Sequence, residues 1–276
     1  MNSGLKNNGF SLTEVLLAVG ILAVGMIFIA GVFPVGIYFT TVATERTIAA
    51  VIADEAFAKI RLYAKGDPEK AEPGDDDIDL NELEEDELQP DGSVDFNDIF
   101  PAAEQMNPSD FAYPSDPKIA MSQKQYYWSV LCRSVKDYSG VDDPNRSVQV
   151  TVFVCRKVGK NLKYPSPSGS GNVSRPTPVK IEVLQGSSDN ELEIDKTKEK
   201  TFINDGYTIV DDESGDLYRV LERYKDDPVT SGMEDMIILL DRDWQGSSSS
   251  KVWVVPPPVG SGRGPCIAVY QKVIKF

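Results

Sequence analysis

Residues 9–33 read GFSLTEVLLAVGILAVGMIFIAGVF. A polar leader, residues 1–9, carries Lys6 as its only charge and ends in Gly9. The apolar run that follows holds one charge, Glu14, and from Val15 to Phe39 no charged residue occurs over 25 positions. About 20 apolar residues span a bilayer as a helix, so a transmembrane segment is predicted at about 13–39. A carboxylate at the centre of such a helix costs about 2.5–3.5 kcal/mol, and less near an interface. Glu14 is therefore a functional candidate. Lys6 before the run, against both Glu45 and Arg46 after it, predicts a cytoplasmic N-terminus with the bulk of the chain outside. A secretory signal has a shorter core and a small-residue cleavage site behind it. Here the candidate cut precedes the core, between Gly9 and Phe10. A plain signal anchor accounts for the hydrophobicity and leaves Glu14 unexplained.

Gly9, Phe10, Ser11, Leu12, Thr13 and Glu14 resemble the class III signal of type IV prepilins and type II secretion pseudopilins. The resemblance is specific over residues 9–33 and only architectural beyond them. It implies cleavage after Gly9 by a membrane-embedded prepilin peptidase/methyltransferase, N-methylation of Phe10, and assembly with other pilin or pseudopilin subunits. It also implies a single-pass subunit of the inner (cytoplasmic) membrane, in contact with its lipids and with its head in the periplasm, which enters a filament. In such filaments the glutamate corresponding to Glu14 pairs with the terminal amine of a neighbouring subunit. An apolar setting makes an unpaired partner of that bond costly, so the pair acts as a register device. A carboxylate at this position argues against the filament-tip subunit, which characteristically lacks it. The nearest likeness is to a minor pilin or minor pseudopilin, and the signal does not separate secretion from pilus systems.

Gly20, Gly25, Gly31, Gly36 and Pro34 interrupt the run. Small residues let transmembrane helices approach closely, and Pro34 removes a helical hydrogen bond. Ordinary membrane composition explains them equally well. The functional alternative is a helix break at Gly31 and Pro34 in the packed filament, although Pro34 stands a few residues later than the family's usual proline. Beyond the run, Ile48, Ile52, Ala56, Ile60 and Tyr63, backed by Val51 and Phe57, recur at helical spacing. They predict one helix over residues 10–64, about 80 Å long at 1.5 Å per residue. A membrane-anchored first half and a domain-packed second half match the lollipop outline of pilins.

Residues 65–117 form an acidic and Pro-rich insert. Within 67–98, fifteen Asp and Glu face Lys70 alone, which accounts for nearly all of the chain's net charge of −15. Such a block repels itself and stays solvated. Calcium is the sharper alternative, with Asp75, Asp77 and Asp79 and then Glu82 or Glu84 as hard oxygen ligands. An EF-hand loop fails, because counting from Asp77 puts Glu82 at the glycine position and Leu88 at the closing glutamate position.

Residues 118–178 predict a pilin-like β-sheet with a spacer. YYWSVLCR (126–133) and SVQVTVFVCRK (147–157) flank a turn-like DYSGVDDPNR and read as a hairpin. Val148, Val150, Val152 and Val154 share one face suited to packing on the helix. Simple pairing across the turn sets Cys132 opposite Gln149. The spacer YPSPSGSGNVSRPTP then leads to residues 179–276, read as a C-terminal β-rich subdomain: an antiparallel sheet or small barrel with strands near 179–184, 208–210, 217–224, 236–241, 251–255 and 266–276. The predicted class is α+β.

No histidine occurs, which excludes His-based triads and the usual zinc sets. The stretch Gly260-Ser261-Gly262-Arg263-Gly264 lacks the Lys-Ser/Thr of a phosphate loop. The net charge disfavours nucleic acid, and Arg133, Arg156, Lys157, Lys160 and Lys163 read as solvated sheet-edge cations. Cys132, Cys155 and Cys266 are expected to be buried free thiols. No catalytic constellation supports an enzyme, and the resemblance implies a structural subunit. The competing reading is a membrane-anchored periplasmic or surface protein that displays its C-terminal β module, for binding or catalysis, without filament assembly.

Overall fold

The computed structural model describes residues 11–64, 110–134, 147–159, 162–166, 171–186, 188–194, 199–225, 236–260 and 264–275. The chain is α+β, with one long apolar N-terminal helix and antiparallel sheets. Two compact units make it up, Met1–Thr47 and Ile48–Phe276. Helix α1 (Leu12–Ala64) provides the described part of the first and enters the second. It continues unbroken past Pro34 in this single chain.

In the second unit the strands are β1 (Ala112–Tyr113), β2 (Tyr126–Ser134), β3 (Ser147–Arg156), β4 (Tyr164–Pro165), β5 (Asn172–Val173) and β6 (Val179–Gln185). They continue as β7 (Glu191–Ile194), β8 (Thr208–Asp211), β9 (Leu217–Lys225), β10 (Met236–Leu240), β11 (Ser249–Val254) and β12 (Cys266–Lys275). A four-stranded sheet has the order β1-β2-β3-β12, and a closed barrel the order β10-β7-β6-β11-β8-β9. The last strand, grouped from sequence with residues 179–276, pairs instead with β3. The barrel is thus inserted between two neighbouring strands of the first sheet.

The β3 segment alternates as expected, but both of its faces are buried. Val150, Val152 and Val154 pack with Trp128 and Val130 against Ile52, Ala56 and Ile60 of the helix. Val51, expected to back that apolar face, is exposed. On the opposite face Phe153 and Cys155 meet Val210 of β8 and Val255, with Trp253 of β11 and Val269 of β12 beside them. Apolar residues at both parities of a strand mark a sheet covered on two sides. Here the second cover is the barrel wall.

Barrel strands bury alternate residues inward: Ile181 and Val183, Leu192 and Ile194, Ile238 and Leu240, Val252 and Val254. The β8–β9 turn docks on the first sheet through the Gly215 carbonyl, which accepts hydrogen bonds from the Gln149 and Gln271 side chains. Gly215 has φ of 73°, and a Cβ there would stand 3.0 Å from the Gln149 amide, so both backbone and space favour glycine. The stretch read as a spacer is partly core: Tyr164, Ser166, Arg175 and Thr177 are buried, and β4 pairs with β5.

The pairing register corrects the hairpin by one residue. Gln149 lies opposite Arg133, and Cys132 lies opposite Val150. A one-residue slip exchanges the two faces of a strand, and in the true register Cys132 joins the helix-facing core.

Lys59 ties the helix to the start of the sheet. Its Nζ donates to the Asp110 carbonyl at 2.9 Å and pairs with Glu55 at 2.9 Å. Burial alone would raise the Glu55 pKa. Hydrogen bonds from Ser115 and Lys59 and the charges of Lys59 and Lys124 outweigh it, holding the carboxyl below its ordinary 4.5. A depressed carboxyl pKa contributes stability that is full above the unfolded value and is lost as pH falls through the folded one. Glu55→Gln should therefore lower the thermal midpoint at neutral pH, with the gap from wild type closing below about pH 4. A gap of equal size at pH 7 and pH 3 would assign the effect to packing.

Candidate functional site

The described part of the first unit is one stretch of helix with an apolar surface. Every residue from 11 to 41 is exposed, and the span is long and apolar enough to cross a membrane. Exposed apolar surface on this scale marks an interaction surface for lipid or protein.

Glu14 has a local role that periodicity and spacing did not disclose. Its backbone N–H donates to Ser11 Oγ at 3.2 Å, and its Oε2 accepts from the Ser11 backbone N–H at 3.0 Å. The Ser11 hydroxyl also donates to Oε2 at 3.2 Å. This is a reciprocal capping box, and it satisfies two amide donors that a helix N-terminus otherwise leaves open. The signal was present as Ser-x-x-Glu at residues 11–14. The carboxylate accordingly sits in the first helical turn, where the helix dipole favours negative charge.

Further along, Thr40, Thr41, Thr44 and Thr47 return their hydroxyls to the carbonyls of Gly36, Ile37, Thr40 and Ala43, at 2.8–3.0 Å. Such bonds satisfy a hydroxyl within its own helix, so this polar stretch presents little unmet hydrogen-bonding demand at its surface. A Cβ built at Gly20, Gly25, Gly31 or Gly36 would meet nothing within 4 Å. Among the described residues no contact requires glycine at any of them.

Gly9 and Phe10 lie outside the described residues, as do Asp75, Asp77 and Asp79. Among the described residues no group of three His, Cys, Asp or Glu side chains could hold a metal. Gly31 and Pro34 lie on the same helix as Glu14, about five turns along at 3.6 residues per turn. None of the three cysteines is joined in a disulfide. Cys132 and Cys155 are buried, and Cys266 is half-buried. Cys155 and Cys266, far apart in sequence, face each other across β3 and β12.

Compared with known proteins, the chain matches no family model, no curated protein and no solved structure.

Proposed function

We propose that this chain is a filament subunit of the prepilin and pseudopilin kind, a minor pilin or minor pseudopilin. It is cleaved after Gly9, N-methylated on Phe10, and assembles through its N-terminal helix into a type II secretion pseudopilus or a type IV pilus. One observation carries the reading: a membrane-length apolar helix segment, exposed throughout, bears a carboxylate in its first turn. The capping box of a plain anchor needs only an acceptor oxygen there, whereas pairing with an amine uses the charge itself. In an assembled filament, neighbouring helices would cover the apolar surface, and the Phe10 amine freed by cleavage would meet Glu14 of another subunit. The unfilled space beside Gly20, Gly25, Gly31 and Gly36 supports close approach of a second helix. Packing of Ile52, Ala56 and Ile60 on an antiparallel sheet supports a helix-plus-sheet head.

The barrel supports a second reading, a displayed module on a permanent anchor, because it closes on itself and carries its own core. Intact-mass measurement of the protein isolated from its host separates the two. The filament reading expects loss of residues 1–9 and the gain of one methyl group. An uncut N-terminus would overturn it and leave the anchored module.

A further inference from the structure

We infer that Cys155 and Cys266 form a redox-active dithiol, a site at which a disulfide closes the neck of the barrel insertion. The inference stands on contacts within the second unit and does not depend on the filament reading.

Cys155 lies next to the end of β3, where the chain departs toward the barrel, and Cys266 opens β12, where it returns. The two are register partners. One step along, the Arg156 N–H donates to the Pro265 carbonyl at 2.8 Å. Hydrogen-bonded and non-hydrogen-bonded pairs alternate along an antiparallel ladder, so Cys155 and Cys266, the last register pair before the ladder shifts between Cys266 and Ala268, form a non-hydrogen-bonded pair. Such pairs hold their Cα atoms about 4.5 Å apart with the side chains close together. That separation falls within the span disulfides bridge, about 4.4–6.8 Å. The two side chains interact across the pair, and the Cys266 sulfur is one cause of the raised Cys155 pKa. Cys266 in turn donates to the Ala268 carbonyl at 3.7 Å.

The two thiols differ in access. Cys155 is buried at the seam between sheet and barrel. Burial, and then the adjoining Cys266 sulfur, push its pKa well above the ordinary thiol value, which keeps it protonated. Cys266 is half-buried and lines a small cavity of about 60 Å³ with Tyr207 and Gly264. Gly264 is needed for that arrangement, since a Cβ there would sit 2.7 Å from the Tyr207 ring. Cys132 lies in the core between sheet and helix and is an internal control.

The oxidant class is a low-molecular-weight or protein disulfide. Cys266, as thiolate, attacks one sulfur of the external disulfide. An Sγ–S bond forms, the external S–S bond breaks, and the first external thiolate leaves and takes up a proton. Cys155 then gives up its proton and attacks Cys266 Sγ. The Cys155–Cys266 bond forms, the mixed disulfide breaks, and the second external thiol departs with the other proton. Two protein thiols are oxidised and one external disulfide is reduced to two thiols. The product closes a loop containing the whole barrel, and long loops gain most from such a link in the chain-entropy view.

The test uses the folded full chain in detergent, incubated with glutathione disulfide, then acid-quenched, denatured and alkylated. Intact mass and peptide mapping should reveal two thiols consumed, a Cys155–Cys266 crosslink, and Cys132 alkylated. Cys155→Ser should trap a lasting glutathione adduct on Cys266. In the wild-type protein, three alkylated thiols, a stable adduct on Cys266, or a crosslink to Cys132 would each overturn the inference. Wild-type mapping decides the matter even if the variant fails to fold.

Discussion

Glu14→Gln should insert into the membrane and form its helix like the wild type, yet fall out of the filament. The prediction turns on two roles for one carboxylate. In the single chain Glu14 completes a capping box with Ser11, and that box accepts Gln as readily as Glu because only an acceptor oxygen is required. Pairing with a neighbour's terminal amine requires the charge. Breaking an ion pair in apolar surroundings leaves one uncompensated charge and costs about 3–5 kcal/mol. That corresponds to a loss of roughly a hundredfold or more in subunit incorporation. Glu14→Ala removes both functions, so it should also fray the helix start. The measurement is the fraction of subunit in purified filaments relative to the membrane pool, with helix content in detergent as the control. Normal assembly of the Gln variant together with failure of the Ala variant would make Glu14 a capping residue and sink the charge-pairing proposal.

The largest expected loss of stability is at the seam. Phe153 is fully buried where β3 faces the barrel wall, beside Val210, Val255 and Cys155. Phe153→Ala removes a ring that the sheet and barrel both pack on, and neither side can collapse into the gap without disturbing its own strand pairing. Truncations of this kind cost about 3–5 kcal/mol, a large part of the roughly 5–15 kcal/mol that holds a typical domain. Chemical denaturation of the full chain in detergent should register that loss. Val273→Ala, on an exposed position of β12, should change little. The native-state alkylation rate of Cys155 should also rise in Phe153→Ala, since the same gap exposes its sulfur. A loss below about 1 kcal/mol would mean that the seam is not a packed interface.

How much of this was legible differs by element. The helix was plain, because a charge-free run and the spacing of Ile52, Ala56 and Ile60 are local patterns. The β2–β3 pair is legible too, while its register differs by one residue from simple pairing, because hairpin register is not encoded in the strands' own alternation. Val51 belonged to the helical pattern but not to the buried face, which is narrower than periodicity implied. The capping box is written in Ser11 and Glu14, but Ser-x-x-Glu is a weak local signal beside a charge in an apolar run. The candidate calcium ligands lie outside the described residues.

By itself, the sequence determined the α+β class, the membrane-length helix with its single carboxylate, and the alternation that turns Val150, Val152 and Val154 toward that helix. These follow from hydrophobic periodicity, which acts between residues a few positions apart. Only the tertiary structure decided that β12 returns to pair with β3, that a closed barrel is inserted between them, and that Cys155 meets Cys266. The partners in each case are separated by the whole barrel. Which distant strand covers which apolar face is settled by burial and hydrogen-bond pairing across the assembled fold, and no local pattern encodes it.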